Sequence, residues 1–247
     1  MRQIKFIMGM PIIVEIIDIQ ASAEIFNKVF DYFTYIDETF SPFKNSSELS
    51  ALNNGQLEEK DFSVDLKTVL ALSEETKNLT QGYFNIVDLD GQINPSGLVK
   101  GWAIYNAAKI LERAGFKNFY VDAGGDIEAR GLNVRGEFWK VGIQNPFNKK
   151  EVVKKVHLKN AGIATSGTYA RGEHMYNPLN NQPANEIISL TVIGPNVYEA
   201  DRFATAAFAM GGNGLKFIEG LENFEGYSID KNGIATMTSN FEKYVYV

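Results

Sequence analysis

The chain has 247 residues, of which 45% are hydrophobic and 22% charged, and its formal net charge is −6. This composition is that of a globular protein with a sizeable core, and the negative charge argues against nucleic acid as the main partner. The chain contains no cysteine. Disulfides, thiolate metal sites, a cysteine nucleophile and lipidation on cysteine are therefore excluded.

The first stretch, residues 1–20, is apolar enough to resemble a signal peptide. However, Pro11, Glu15 and Asp18 interrupt it, and no small-residue cleavage site follows. We therefore interpret residues 4–18, which are rich in Ile and Val, as two short strands. No apolar run reaches the roughly 20 residues that a membrane helix needs. With no lipoprotein leader visible, these features predict a cytoplasmic protein without a membrane segment.

Further along the chain, apolar residues at helical spacing alternate with strand-like stretches. Helices and strands mix without a regular βαβ rhythm, which predicts an α+β fold with mixed or antiparallel sheets. The predicted helices cover 22–39, a short stretch capped by Ser46 or Ser47, the stretch between Ser63 and Gly82, 98–114, 198–210 and 213–221. The predicted strands lie within 116–131, around a Gly-rich turn, and at 138–144, 151–158, 161–165 and 187–193.

Four short segments are richer in Gly, Ser, Thr and charge than folding alone requires. In the first, INPSGLVKGWA, Ser96 and Gly97 precede a helix whose first turn carries Lys100. A helix N-terminus with a nearby lysine is a suitable binding site for phosphate. An ordinary helix cap with a solvated lysine explains the same residues.

The second segment, VDAGGDIEARG, places two glycines before an aspartate. Gly124 and Gly125 allow the backbone to approach a ligand closely, and Asp126 can accept a hydrogen bond from a ribose or a base. A simple β-turn is the alternative. These glycines do not lead from a strand into a helix, so they do not form a dinucleotide fingerprint.

The third segment, residues 161–184, runs from a strand into a polar turn at 165–167 and then reaches His174. His174 is a candidate general base or phosphate contact, with an exposed or structural histidine as the alternative. The other histidine, His157, alternates with apolar residues. We interpret it as a strand side chain.

The fourth segment, EADRFATAAFAMG, places an aspartate in a run that otherwise reads as a buried helix. Asp201 and Thr205 are four residues apart and share one helix face. A carboxylate and a hydroxyl suit Mg²⁺, with phosphate and water completing its shell, and do not suit zinc. The alternative is a buried aspartate that caps a helix or pairs with a cation.

Taken in order, these segments resemble the ApbE family of flavin transferases, which are FAD:protein FMN transferases. The matches run along nearly the whole chain, which makes the resemblance specific. It implies one T-fold-like α+β flavin transferase domain over residues 1–247. The matching elements are MGM at 8–10, FSPFKNSSELSALN at 40–53, GYFN at 82–85, NPSGLVKG at 94–101, AGGD at 123–126, WKVGIQNP at 139–146, IATSGTY at 163–169, HMYNP at 174–178 and ADRFATA at 200–206.

The resemblance implies transfer of FMN from FAD to a Thr or Ser hydroxyl of a client flavoprotein, with release of AMP. It implies a Mg²⁺ held by Asp201, Thr205 and the backbone carbonyl of Gly97, bridging the pyrophosphate of FAD. His174 and Asp201 are the implied catalytic residues, with His174 assisting deprotonation of the acceptor or contacting phosphate. The residues expected at the FAD site are Met8, Phe43, Tyr83, Phe84, Asn85, Asn94, Lys100, Gly125, Asp126, Thr165 and Ser166.

Three aspartates of the family pattern are asparagines in this chain, at Asn85, Asn94 and Asn177. Asparagine keeps the size of aspartate, loses its negative charge and gains a donor. The intact pair of Asp201 and Thr205 favours a working transferase. The alternatives are an FAD-binding protein without transfer, a hydrolase that splits FAD into FMN and AMP, and a structural domain without flavin.

Overall fold

The computed structural model describes residues 1–168 and 176–246. Its helices are α1 (Ala23–Phe40), α2 (Glu48–Asn53), α3 (Val64–Leu79), α4 (Ser96–Arg113), α5 (Val197–Ala209) and α6 (Gly214–Glu219). Its strands are β1 (Arg2–Ile7), β2 (Met10–Ile16), β3 (Phe119–Ala123), β4 (Asp126–Arg130), β5 (Trp139–Gln144), β6 (Val152–Leu158), β7 (Ala161–Gly167), β8 (Tyr176–Asn177), β9 (Gln182–Pro183), β10 (Ile187–Gly194), β11 (Glu225–Asp230) and β12 (Ala235–Met237).

Eight of these strands form one sheet in the order β1-β2-β3-β4-β7-β10-β11-β12. Every neighbouring pair in it is antiparallel. Strands β5 and β6 form a separate two-stranded hairpin, as do β8 and β9. The predicted α+β class with antiparallel sheets is therefore confirmed.

Polar side chains at helix starts explain where several helices begin. The hydroxyls of Ser47 and Ser63 accept the backbone N–H of Ser50 and Leu66, each at 3.0 Å, as the sequence predicts. The Asn196 side chain caps α5 in the same way. These caps fix the observed helix starts within about two residues of the predicted ones.

The two faces of the sheet carry different layers. On one face, the alternating residues Ile12, Val14 and Ile16 of β2 are fully buried in a cluster shared with α1 and α4. Helix α5 packs beside α4, against the same face of β7 and β10. The opposite face of the sheet packs against the β5–β6 hairpin around Trp139 and Ile163.

Two local features were not predicted from the sequence. In α3 the apolar residues Val64 and Leu79 are 79% and 52% exposed, because the buried face of the helix is formed by Leu66, Val69, Ser73 and Thr76. The β8–β9 hairpin was not predicted, since strands of two residues are too short to show a period. Within residues 1–168 and 176–246, no helix combines the length and hydropathy needed to cross a membrane.

Candidate functional site

The close contact of α4 with α5 brings the predicted metal ligands together. A Cβ on Gly101 would lie 2.6 Å from the Asp201 Cβ and 2.8 Å from the Val197 carbonyl oxygen, so only glycine fits there. The Gly101 amide donates to Asp201 Oδ2 at 2.7 Å. One turn away, Thr205 Oγ1 donates to the Gly97 carbonyl oxygen at 3.1 Å. Three oxygen ligands that suit a hard cation therefore lie where α4 contacts α5: the Asp201 carboxylate, the Thr205 hydroxyl and the Gly97 carbonyl.

Lys100 lies between two buried carboxylates. Its Nζ is 2.5 Å from Asp126 Oδ2 and 3.5 Å from Asp201 Oδ1, and both aspartate side chains are only 3% exposed. The other Asp126 oxygen accepts the Thr165 amide at 3.0 Å. Burial raises the pKa of the Asp201 carboxyl well above its usual range, and the Lys100 ammonium offsets only part of that rise. The cluster therefore places the Lys100 ammonium against two buried carboxyl groups.

Two cavities meet at this cluster. The smaller has a volume of about 390 Å³ and the larger about 810 Å³, and Lys100 and Thr165 line both. The larger cavity also takes in the predicted residues Gly125 and Asp126. The predicted residues that line the smaller one are Tyr83, Phe84, Asn85, Asn94, Gly97, Lys100, Thr165, Ser166, Asp201 and Thr205.

The remaining predicted residues lie elsewhere. Met8 is half-buried at the β1–β2 turn and Phe43 is 93% exposed, and neither lines either cavity. His174 lies outside the described residues. His157 is on β6, as predicted, with its ring 5.4 Å from that of Phe138.

The three asparagines make local turn contacts. The Asn85 side chain donates to the Val87 carbonyl at 3.1 Å and accepts from the Val87 amide at 3.3 Å. Asn94 and Asn177 each accept the backbone N–H two residues further on. An ionised aspartate can make the accepting bonds but not the Asn85 donation. Asn85 therefore has a structural reason to be an amide in this chain.

Sequence reasoning missed Gly101 and Asp122. The four-residue spacing of Gly97 and Gly101, opposite the same spacing in Asp201 and Thr205, was the available signal for the helix contact. Asp122 left no such signal, because alternation along β3 does not show which face of the strand borders the larger cavity. Within the described part of the chain, no three His, Asp or Glu side chains form a metal cluster. The candidate metal set thus has one carboxylate.

Replacing Asp122 with asparagine is expected to stabilise the protein above pH 6. Burial raises the pKa of Asp122 to about 6, while its bond from the Gly125 amide at 2.8 Å, which asparagine can also accept, lowers it. A raised pKa means that the carboxyl favours folding below its ordinary pKa and that this contribution is lost as the pH rises through 6. We expect Asp122→Asn to gain about 1–2 kcal/mol at pH 8 and little at pH 4. Urea unfolding at both pH values measures this, and an equal gain at both would contradict it.

The chain matches a known protein family along most of its length. The ApbE family pattern matches residues 8–89 and 87–227 of the chain. The FAD:protein FMN transferase of Escherichia coli strain K12 is 31% identical over an alignment of 154 positions that covers 58% of this chain and 44% of that protein. The FAD:protein FMN transferase of Haemophilus influenzae is 29% identical over an alignment of 200 positions that covers 75% of this chain and 56% of that protein. The chain spans about half the length of the curated relatives it matches.

Solved structures extend the similarity over the whole fold. The flavin transferase ApbE from Vibrio cholerae superposes with a TM-score of 0.85 at 21% identity, covering 99% of this chain and 98% of that one. The ApbE protein from Thermotoga maritima gives a TM-score of 0.86 at 19% identity, covering 100% and 99%. At these identities the superpositions show that the fold is shared.

Proposed function

The chain belongs to the ApbE family, and from this premise we propose that it transfers FMN from FAD to a Thr or Ser hydroxyl of a client flavoprotein. The observation that carries the proposal is the cluster of Gly97, Lys100, Asp201 and Thr205 on the wall of the smaller cavity. The residues expected to contact FAD from the family resemblance, Tyr83, Phe84, Asn85 and Asn94, line that same cavity. We extend the proposal to residues 1–247 as one flavin transferase domain.

The reaction is a phosphoryl transfer. The acceptor oxygen forms a bond to the phosphorus of the FMN half, the bond from that phosphorus to the bridging oxygen breaks, and AMP leaves with that oxygen. The hydroxyl proton must pass to a base, for which His174 is our candidate from the sequence. Lys100 faces both cavities and supplies positive charge beside the phosphates, while Asp126 holds its ammonium in place.

The residues present suit Mg²⁺. The Gly97 carbonyl oxygen and Thr205 Oγ1 are 3.1 Å apart, and octahedral coordination at about 2.1 Å separates neighbouring oxygens by about 3.0 Å. Two buried carboxyl groups, those of Asp126 and Asp201, lie within 3.5 Å of Lys100 Nζ, and a bound cation would offset part of their negative charge. Gly97, Asp201 and Thr205 would hold the ion. When bound, Mg²⁺ would neutralise charge on the pyrophosphate and on the leaving AMP.

The three asparagines that replace family aspartates support the alternative in which the protein binds FAD but does not transfer FMN. Two of them, Asn85 and Asn94, line the smaller cavity. Their side chains make the turn contacts described above, which support the loop before α4. The differences at these asparagines do not alter the side-chain oxygens of Asp201 and Thr205. We therefore favour the transferase.

The proposal predicts a covalent product. We expect an acceptor domain carrying a flavinylation-type threonine to gain the mass of one FMN when incubated with this protein, FAD and Mg²⁺. EDTA should abolish the gain, and a Thr→Val acceptor should show none. Release of free FMN and AMP without an acceptor would favour the hydrolase instead. FAD that stays bound and intact beside an unmodified acceptor would favour the binding protein.

A further inference from the structure

Strand β5 borders the larger cavity along its whole length. All six of its residues, Trp139–Gln144, line that cavity. Successive side chains of a strand point to opposite faces, so a cavity that met the side chains of one face would meet those of every second residue. None of the residues of β6 (Val152–Leu158) lines this cavity, so we place it along the edge of β5 that lies away from β6.

That edge has no strand partner in the described parts of the chain. Strand β5 pairs with β6 alone, so its second edge presents a row of backbone N–H and C=O groups. At about 3.4 Å per residue, the six residues of β5 give an edge of about 20 Å. Such an edge is a template for an added strand.

The floor opposite this edge is an open part of the main sheet. Ile13, Asp122 and Ile127 line the cavity and are neighbours in register across β2, β3 and β4. On the edge strand β1, Ile4 pairs with Ile13 and so extends this row of neighbouring residues to the edge of the sheet. Ile4 and Phe6 of this strand are 54% and 75% exposed. The floor is therefore mainly apolar and reaches the sheet edge, which suits alternate side chains of an extended chain.

The larger cavity also reaches the candidate reaction site. Lys100 and Thr165 line it together with β5, and the same two residues line the smaller cavity beside Asp201 and Thr205. Of the residues that the family resemblance assigns to FAD, Tyr83, Phe84 and Asn85 line only the smaller cavity, whereas Gly125 and Asp126 line only the larger one. An occupant of the larger cavity would thus meet FAD at Lys100.

We propose that an extended segment of the acceptor protein adds as a strand to the free edge of β5. Its alternate side chains lie on the open sheet face, and its hydroxyl reaches the boundary at Lys100 and Thr165. Only a polypeptide offers donors and acceptors at strand spacing along a 20 Å edge. The inference rests on the proposed function, since it names the docking site of the acceptor.

Binding of N-methylated peptides tests the added strand. The probe is a fluorescein-labelled synthetic peptide around a flavinylation-type threonine, with that threonine replaced by valine to prevent transfer. In two versions, either the odd-numbered or the even-numbered amides are N-methylated. A strand directs successive N–H groups to opposite sides, so one version should bind at least tenfold more weakly and the other within about threefold of the parent. Equal effects in both versions would overturn the added strand.

A blocking substitution locates the site. Gln144 is exposed and lines the larger cavity, whereas Gln56 is also exposed and lines neither cavity. We expect Gln144→Trp to weaken peptide binding at least tenfold with FAD affinity within about twofold of the parent, and Gln56→Trp to change neither. Weakened FAD binding in Gln144→Trp would instead assign the cavity to part of FAD.

The Gln144→Trp variant distinguishes failure of the proposed docking site from failure of the proposed function. If the unmodified protein transfers FMN but Gln144→Trp leaves the KM for the acceptor unchanged, the docking site is wrong and the proposed function stands. If no transfer occurs but the peptide binds with the odd–even pattern, the strand site stands and the proposed function fails.

Discussion

Replacing Asp201 with asparagine is expected to lower the rate of FMN transfer by a factor of about 10²–10³ and to leave the protein folded. Asp201 is the sole carboxylate of the proposed metal set, and weaker binding of a cation at the developing charge should cost about as much as the loss of one preorganised donor there. Asparagine has the same shape and can still accept the Gly101 amide hydrogen bond. The lower rate of FMN transfer should therefore come from the missing carboxylate ligand and not from unfolding.

Stability measurements distinguish these two causes. Because burial raises the pKa of Asp201, its ionised form costs stability as the pH rises through that raised pKa. Without metal at pH 8, Asp201→Asn should therefore be at least as stable as the parent. Mg²⁺ at about 100 times its Kd should raise the parent's stability by about 2.7 kcal/mol. The variant should show little of this gain.

The exposed Asp31 provides the matched control. Asp31→Asn makes the same chemical change on the surface of α1, away from both cavities. It should transfer FMN at the parental rate and keep the full Mg²⁺-dependent rise in Tm. Transfer by Asp201→Asn within a few-fold of the parent, with the same Mg²⁺ dependence, would show that the metal set is wrongly assigned.

Local sequence chemistry was sufficient for much of the fold. Ser63 caps the helix that it was predicted to cap, and Ser47 is the cap of the two candidates Ser46 and Ser47. Strands β2 and β10 follow runs of β-branched residues. The pairing of Asp201 with Thr205 follows from helical spacing alone. Such features depend on residues within one turn of each other, so periodicity reveals them.

The tertiary part of the site could not be predicted in this way. Lys100 meets Asp126 and Asp201 because the sheet order brings β4 and β7 beside α4 and α5, and no local pattern specifies that order. The free edge of β5 is likewise a property of the tertiary structure, since it depends on which strands pair in the described parts of the chain. Phe43 was predicted at the flavin site from a position in a motif, but the described structure leaves its ring 93% exposed.

The largest loss of stability is expected from replacing Gly162 with alanine. Gly162 lies on β7 beneath the start of α5, where a Cβ would be 1.9 Å from the Val197 nitrogen and 2.2 Å from the Asn196 carbonyl carbon. Both are backbone atoms, so no side-chain rotation can relieve the overlap. Helix α5 would have to move by more than about 1 Å to restore normal contact.

That movement would also break a buried contact. The Val197 amide donates to Glu128 Oε2 at 2.5 Å, and Glu128 is fully buried and paired with Arg130. Burial already raises the pKa of Glu128 to about 7, and the Val197 bond is one of the contacts that lower it. Overpacking and the loss of this bond together should cost about 3–5 kcal/mol. At about 2–4 °C per kcal/mol, Tm should fall by about 6–20 °C.

Gly220 supplies the control for the chemical change itself. A Cβ on Gly220 would have its nearest neighbours at 3.4 and 3.8 Å, which is ordinary contact. Gly220→Ala should change the free energy of unfolding by less than about 1 kcal/mol. Because α5 carries Asp201 and Thr205, the folded fraction of Gly162→Ala should also show a weaker Mg²⁺-dependent rise in Tm. A loss below about 1 kcal/mol with the full Mg²⁺ effect would mean that α5 can shift on the sheet without disturbing the proposed metal ligands.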